Sequence, residues 1–170
     1  IASTNAPANT TVGLWTGTHA AVLTGNSGAL YDLGTNSWQE LRRANAPEVR
    51  GSFTSVLGAN KILVWGGSNV TYNNTGAIFS PDNRPAPGVW NPIAVSTAPA
   101  ADRNWGQGYQ FWTGSKILVW GPTSTQNDGS IYDPVAQTWS AMSAVNAPAV
   151  RAGQTAVWTG RELITFGGGA

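Results

Sequence analysis

Ala-Pro dipeptides recur along the 170-residue chain and divide it into segments of similar length. The segments run over residues 8–47, 48–99, 100–148 and 149–170, and only the last is short. A regular period of this kind is typical of repeat architectures, in which each unit buries its apolar surface against its neighbours. We therefore expect one domain, residues 1–170, with three complete repeats and one partial repeat. The dividing prolines are Pro7, Pro47, Pro99 and Pro148.

Each segment begins with a predicted β-hairpin. Two apolar anchors lie eight residues apart in all four segments, and turn residues such as Thr113-Gly114 stand between them. Glycine accepts the positive φ that a tight hairpin needs, and the flanking runs are rich in the Val, Ile, Thr and Trp that strands favour. The anchors are Trp15 and Leu23, Leu57 and Trp65, Trp112 and Trp120, and Trp158 and Phe166.

A second module follows in the three complete segments, where an aromatic residue precedes a tryptophan. Two of the three have a Tyr-Asp pair before the tryptophan, which predicts two short strands joined by a polar turn. Each complete segment thus supplies four strands, and the absence of helical periodicity favours a β-propeller over a sandwich. We expect the three tryptophans to be buried and equivalent. The pairs are Tyr31 and Trp38, Phe79 and Trp90, and Tyr132 and Trp139.

These features resemble the kelch repeat, in which an arginine opens the first strand and a diglycine closes the second. Arg50, Arg103 and Arg151 stand at the first position, and Gly66-Gly67 and Gly167-Gly168 stand at the second. The resemblance implies an all-β fold of kelch-like β-propeller blades, three of them four-stranded and followed by a two-stranded half-blade. We expect that this chain alone does not close the ring.

Composition narrows the range of partners. Only 10% of the residues are charged and the net charge is +1, with no basic block, so nucleic acid and polybasic membrane binding are not expected. No apolar run is long enough to span a membrane. The chain has no cysteine and one histidine, His19, so we expect no cofactor and no bound transition metal. The weakly charged composition favours a secreted or cell-surface protein.

Enzymatic function is not expected. Kelch-type copper-radical oxidases resembling galactose oxidase need a cysteine cross-linked to tyrosine together with histidine ligands, and this chain lacks them. Sialic-acid epimerases also use kelch propellers, but no acid and base pair can be nominated here. A structural or self-assembling extracellular module is the leading interpretation. The alternatives are a propeller that binds carbohydrate or protein, and a fragment of a larger propeller protein.

A small set of residues is a candidate ligand site. Eight of the nine tryptophans occupy repeat positions and are predicted to pack in the core, whereas Trp105 lies off the pattern beside Arg103 and Tyr109. The three repeat arginines, Arg50, Arg103 and Arg151, complete the set, since they could line a central channel and bind an anion, or could instead satisfy backbone carbonyls between blades.

The partial repeat is a candidate self-association edge. Its second predicted strand, Glu162 to Phe166, lacks a third strand to pair with and carries Leu163 and Ile164. Such edges pair readily with other chains. The expected partner is another copy in a head-to-tail oligomer or filament, or else the missing blades of a longer chain.

Overall fold

The computed structural model describes residues 1–8, 12–24, 27–81, 88–99, 108–121, 128–149 and 152–169. Fourteen strands lie within these ranges, and no helix occurs among the residues described. The strands are β1 (Val12–Trp15), β2 (His19–Leu23), β3 (Gly28–Asp32), β4 (Ser37–Glu40), β5 (Thr54–Gly58), β6 (Lys61–Trp65), β7 (Gly76–Ser80), β8 (Val89–Pro92), β9 (Tyr109–Trp112), β10 (Ile117–Trp120), β11 (Gly129–Asp133), β12 (Thr138–Ala141), β13 (Ala152–Trp158) and β14 (Leu163–Gly169).

The strands form four antiparallel sheets that follow the order of the chain. Sheet 1 contains β1 to β4, sheet 2 contains β5 to β8 and sheet 3 contains β9 to β12, and each strand pairs with the next one along the chain. Sheet 4 contains only β13 and β14. The prediction of an all-β chain with three four-stranded units and one two-stranded unit is therefore confirmed.

The predicted hairpins form the first two strands of every sheet. At the tip in sheet 3, the Thr113 N–H donates to the Lys116 carbonyl, and the Lys116 N–H donates back to Thr113 Oγ1, both at 2.9 Å. Gly114 follows with a φ of +100°, which a side chain would strain. Sheet 2 turns through Ala59 and Asn60, which both have positive φ. Sheet 2 thus turns through two positive-φ residues, whereas the tips of sheets 1, 3 and 4 each have one positive-φ glycine.

The aromatic pairs lie opposite each other on the third and fourth strands of sheets 1 to 3. Their ring centroids are 5.0 to 5.1 Å apart and their planes are tilted by 46° to 50°, a favourable arrangement for aromatic contact. Trp90 and Trp139 are 2% and 5% exposed, which confirms their predicted burial. Trp38 is half-buried and so less covered than the other two, because no described sheet packs on its side of sheet 1.

The hydrophobic core lies between consecutive sheets. Successive residues of a strand face opposite sides of the sheet. In β6, Ile62 and Val64 belong to the apolar cluster shared with sheet 1, whereas Leu63 and Trp65 belong to the cluster shared with sheet 3. The Trp65 ring also contacts Trp139 of sheet 3, with 4.5 Å between ring centroids. A sheet is therefore fully buried only when it has a neighbour on both faces.

The Asn-Ala-Pro segments form a common tail. Asn5, Asn45 and Asn146 take φ values of 60° to 61°, and the alanine after each donates its N–H to the carbonyl three residues earlier at 3.0 to 3.1 Å. The corresponding tail after sheet 2 reaches sheet 3, where the Trp139 N–H donates to Thr97 Oγ1 at 3.0 Å. The tail at residues 1–7 lies against sheet 1 in the same way. A tail thus lies along each of these two sheets.

Candidate functional site

Arg50, a predicted ligand-binding residue, is buried and hydrogen-bonded to its own sheet. Its Nη1 donates to the carbonyls of Gly66 and Thr75, both at 3.1 Å, and its Nε donates to the Glu48 carbonyl at 3.1 Å. Burial lowers the pKa of Arg50, and the charge of Glu48 opposes that shift. The arginine therefore satisfies carbonyls, as one sequence interpretation allowed, but within one sheet rather than between two. Anion binding by Arg50 stays a prediction.

Tyr109, the second described ligand candidate, connects two sheets. It begins β9, and its hydroxyl donates to the backbone carbonyl of Gln154 in β13. Gln154 is 5% exposed, and neither of its amide atoms has a hydrogen-bond partner within the part of the chain that the structure describes. Nothing in the sequence around Gln154 indicated this burial. The other candidates, Trp105, Arg103 and Arg151, lie outside the described residues.

The predicted self-association residues lie on or beside β14. This strand pairs only with β13, so one of its edges has no partner strand within the described part of the chain. Glu162 is exposed just before the strand, and Leu163 is half-buried at its start. Ile164 is 48% exposed and Phe166 is 78% exposed. Unpaired backbone groups and exposed apolar side chains thus occur on the same strand.

The exposed side chains of sheet 4 form a face as well as an edge. Leu163 and Thr165 line a cleft of about 180 Å³ shared with sheet 3, so Ile164 and Phe166 point to the opposite side. Val157 is paired with Ile164 across the hairpin and is 53% exposed. We call Val157, Ile164 and Phe166 the sheet 4 open face. Sequence reasoning missed Val157, although strand alternation could have indicated it.

Sheet 1 has a second open face. Val12 and Leu14 pack into the cluster shared with sheet 2, whereas Trp15 faces the other side of the strand and is 52% exposed. The predicted core position of Trp15 is therefore wrong. Val22 and Trp38 lie on the same side as Trp15 by strand register, and both are half-buried. We call Trp15, Val22 and Trp38 the sheet 1 open face.

Carboxylates with a lowered pKa lie in turns. Backbone N–H groups of Thr35 and Gly34 hold the pKa of Asp32 below its usual value, and those of Ala136 and Val135 do the same for Asp133. Among the residues that the structure describes, no three His, Asp or Glu side chains group closely enough to hold a metal ion. The absence of a metal or cofactor stays a prediction.

In the described ranges, no helix is both long and apolar enough to cross a bilayer. No protein-family model matches the chain, and no curated protein matches it significantly. The kelch resemblance therefore depends on the repeated residues and the repeated sheets.

Proposed function

We propose that this chain is a non-catalytic, kelch-type β-propeller module, secreted or on the cell surface, that builds structure by associating with copies of itself. In this proposal sheets 1 to 3 are blades and sheet 4 is a half-blade. The uniform strand order and the recurring aromatic pairs support it. So does the kelch diglycine, because Gly66-Gly67 and Gly167-Gly168 all take positive φ, and Gly66 accepts the hydrogen bond of Arg50.

The exposure of Phe166 is the single observation that carries the self-association proposal. The residues at the same repeat position in sheets 2 and 3, Trp65 and Trp120, are 0% and 4% exposed, whereas Phe166 is 78% exposed. Burying a phenylalanine side chain contributes about 1.5 to 3 kcal/mol. Apolar patches that remain exposed on soluble proteins commonly mark interaction sites. A second chain that covered Phe166 would gain this free energy.

The unpaired edge of β14 supports the same proposal. Backbone N–H and C=O groups of an edge strand form hydrogen bonds with any strand that lies alongside. Natural edges are protected by charges, prolines or bulges, but within Leu163–Gly169 there is no charged residue and no proline. The charged residues Arg161 and Glu162 lie just before the strand begins. The edge is therefore available for pairing with another chain.

A non-catalytic role is supported by the poor supply of reactive groups. The chain has one histidine and no cysteine. The Nδ1 of His19 lies 2.9 Å from Thr18 Oγ1, and its Nε2 lies 3.7 Å from a carboxylate oxygen of Asp32. This arrangement belongs to an exposed hairpin rather than to a pocket. The hydroxyl within reach of His19 is that of Thr18, which is exposed at the hairpin turn.

Native mass in solution tests the proposal. We expect the 170-residue chain to form species larger than its 17.7 kDa monomer at micromolar concentration. Phe166→Asp should reduce the size by placing a charge on the sheet 4 open face. Val70→Asp is the matched control, because Val70 is 95% exposed in a loop of sheet 2 and lies on neither open face. A parent chain that stays monomeric, or equal effects of the two variants, would contradict self-association.

Ligand binding is a second candidate function, and one cleft favours it. Between sheets 2 and 3 lies a cleft of about 330 Å³, with Trp112, Ile78 and Pro134 among its apolar walls and Lys61 at its rim. An indole beside a cationic rim suits a polar ring such as a sugar. Calorimetric titration with neutral oligosaccharides should then detect binding that Lys61→Glu weakens. No heat with any of them would contradict this second candidate.

A further inference from the structure

We infer that copies of the chain join head to tail, with the sheet 4 open face of one copy on the sheet 1 open face of the next. In this joint Phe166 contacts Trp38 of the neighbouring copy. The inference rests on the proposed self-association and adds its geometry. It follows from the repeat, because each open face carries the side chains that form one half of an internal joint.

The joint between sheets 2 and 3 is the template. Sheet 2 contributes Leu63 and Trp65, and sheet 3 contributes Ile117, Val119 and Trp139 to one cluster. The Trp65 and Trp139 rings meet at 4.5 Å with planes tilted by 51°. A tryptophan of the second strand thus packs on the fourth-strand tryptophan of the next sheet.

A second contact of the template lies at the hairpin tip. A β-carbon on Gly58 would stand 2.4 Å from Cγ of Trp112, so the Trp112 side chain lies directly on the backbone of the preceding sheet. Gly58 and Trp112 mark the inner end of the joint, and Trp65 and Trp139 mark its middle. Two independent contacts therefore fix which face meets which.

Sheet 4 matches the sheet 2 half of this template. By hairpin register, Ile164 and Phe166 occupy the positions of Leu63 and Trp65. Leu63 and Trp65 are 1% and 0% exposed, whereas Ile164 and Phe166 are 48% and 78% exposed. The residue types are apolar in both sheets, so the difference arises from the missing neighbour. The sheet 4 open face is thus an unoccupied copy of a buried face.

Sheet 1 matches the sheet 3 half. Trp15, Val22 and Trp38 occupy the positions of Trp112, Val119 and Trp139. The three residues in sheet 3 are buried or half-buried, whereas Trp15 is 52% exposed. In a head-to-tail joint Trp38 would meet Phe166, and Trp15 would lie beside the hairpin tip at Thr159, whose side chain would hold the indole further from the backbone than Gly58 holds Trp112.

The tail at residues 1–7 supports this orientation. In the template, the tail that follows sheet 2 lies along sheet 3, where Thr97 accepts a hydrogen bond from the backbone of Trp139. In sheet 1 the Trp38 Nε1 donates to the Ala2 carbonyl at 2.8 Å, and the Ala2 N–H donates to Asn36 Oδ1 at 3.0 Å. Residues 1–7 thus lie against the fourth-strand tryptophan of sheet 1, as the tail after sheet 2 lies against that of sheet 3.

A symmetric pairing of like faces would not reproduce these contacts. Two sheet 4 open faces would bring Phe166 against Phe166, with no tryptophan and no tail between them. A head-to-tail joint is heterologous, so it leaves one face of each kind free for the next copy. Growth then ends in a ring or continues as a filament, according to the rotation at each joint.

Mixing two variants that each block one face tests this geometry. Phe166→Asp disables the sheet 4 open face, and Trp15→Asp disables the sheet 1 open face at a side chain that is already 52% exposed. Each variant alone should be monomeric. Mixed in equal amounts, they retain one intact face of each kind and should form dimers of twice 17.7 kDa that grow no further.

Other outcomes separate the two proposals. If Trp15→Asp assembles like the parent and the mixture forms no heterodimer, like faces pair, and the head-to-tail geometry is overturned while self-association stands. If the parent chain is monomeric, both proposals fail. Circular dichroism and unfolding curves of each variant show whether a monomer is folded, and a variant that is unfolded is replaced by Ile164→Asp or Val22→Asp.

A cysteine cross-link checks the contact itself. The chain has no cysteine of its own, so Thr159→Cys and Trp15→Cys introduce the only thiols. In the template a β-carbon on Gly58 would stand 2.4 Å from Cγ of Trp112, so the two corresponding positions approach closely enough for introduced thiols to meet. Mild oxidation of the mixture should yield a covalent heterodimer. Homodimers of the Thr159→Cys variant alone, or no heterodimer in an assembling mixture, would overturn the head-to-tail contact.

Discussion

The joint between sheets 2 and 3 and the open end at sheet 4 use the same kinds of side chain with opposite results. Trp65 and Phe166 occupy one repeat position, yet their exposures are 0% and 78%. Leu63 and Ile164, two residues earlier in the same strands, also share a repeat position, and their exposures are 1% and 48%. Residue type is nearly constant across each comparison. Burial in this molecule is therefore decided by the neighbouring sheet and not by the sheet itself.

Sheet 1, at the other end of the molecule, also has a face without a described neighbouring sheet, but only part of that face is exposed. Trp15 is more exposed than its counterpart Trp112, because no described sheet precedes sheet 1. Trp38, however, is partly covered by the tail that begins the chain. Stability in repeat proteins is approximately a sum over units and the interfaces between neighbours. We therefore expect the central joints to be the most stable parts and the two open faces to be the least.

The largest difference in stability between the central joint and the open end is expected when the fourth-strand tryptophans are replaced. Trp139 is 5% exposed and packs on both Tyr132 and Trp65, so Trp139→Ala should lower the free energy of unfolding by about 3 to 5 kcal/mol. Trp38→Ala is the matched change at the open end, where Tyr31 packs on the ring and no second aromatic ring does so among the described residues. It should cost clearly less. Urea unfolding at a concentration where the chain is monomeric measures both.

Equal losses for the two tryptophans would break the comparison. That result would mean that the aromatic pair within a sheet, rather than the joint between sheets, contributes most of the stabilisation. The pairs themselves have nearly identical geometry, with centroids 5.0 Å apart in both sheets, so they cannot explain a difference.

Local features of the fold were predictable from the sequence because the repeat presents them several times. The hairpin anchors predicted the first two strands of every sheet, and the pairs such as Tyr132 and Trp139 predicted the third and fourth. These signals depend on residues close together in the chain. Strand existence and order followed from them, and the structure confirms both.

Features that depend on neighbouring sheets were not predictable. Trp15 and Trp112 look alike in the sequence, so both were expected in the core, and only the arrangement of sheets distinguishes them. Ile164 and Phe166 were recognised as exposed residues of an edge strand, but Val157 was not, because the open face needs the register of β13 on β14. Gln154 gave no signal, since its burial arises from contact with sheet 3.

A smaller effect is expected from removing a buried cation inside sheet 2. Arg50→Met removes the charged donor from the carbonyls of Gly66 and Thr75, although Thr75 keeps the bond from the Gly66 N–H, and the change should cost about 1.5 to 3 kcal/mol of unfolding free energy. Arg43→Met is the control, because Arg43 and Glu40 form an exposed ion pair at 3.0 Å in sheet 1. Such pairs contribute at most about 1 kcal/mol. Chemical denaturation compares them, and a larger loss for Arg43→Met would contradict the structural role of Arg50.

A methyl group added at Gly58 tests how closely sheets 2 and 3 pack at the central joint. Gly58→Ala would place a β-carbon 2.2 Å from the Trp112 ring, so one sheet must shift, at a cost of about 1 to 3 kcal/mol. Gly13→Ala, on the sheet 1 open face, meets nothing within 4 Å and should be nearly neutral. Thermal unfolding of both variants is the measurement. A neutral Gly58→Ala would show that the central joint is looser than the contact with Trp112 implies.

The smallest effect on stability is expected in the turns between the third and fourth strands of sheets 1 and 3. We expect it to be the same in both sheets. Asp133 accepts hydrogen bonds from the N–H groups of Val135 and Ala136 at 2.9 and 3.0 Å, and these lower its pKa relative to the unfolded chain. Asp32 has an equivalent pair of donors and a pKa lowered for the same reason.

A depressed pKa in the folded state contributes stability that is fully present above the unfolded value, about 3.9, and is lost as the pH falls through the folded value. Asp32→Asn and Asp133→Asn should therefore each be slightly less stable than the parent at neutral pH and should converge with it in acid. Unfolding curves between neutral pH and about pH 2 test this, since that range spans the aspartate titration. Because both turns are local and exposed, we expect the two variants to behave alike. A clear difference between them would mean that the open end of the molecule differs from its centre in local structure as well as in packing.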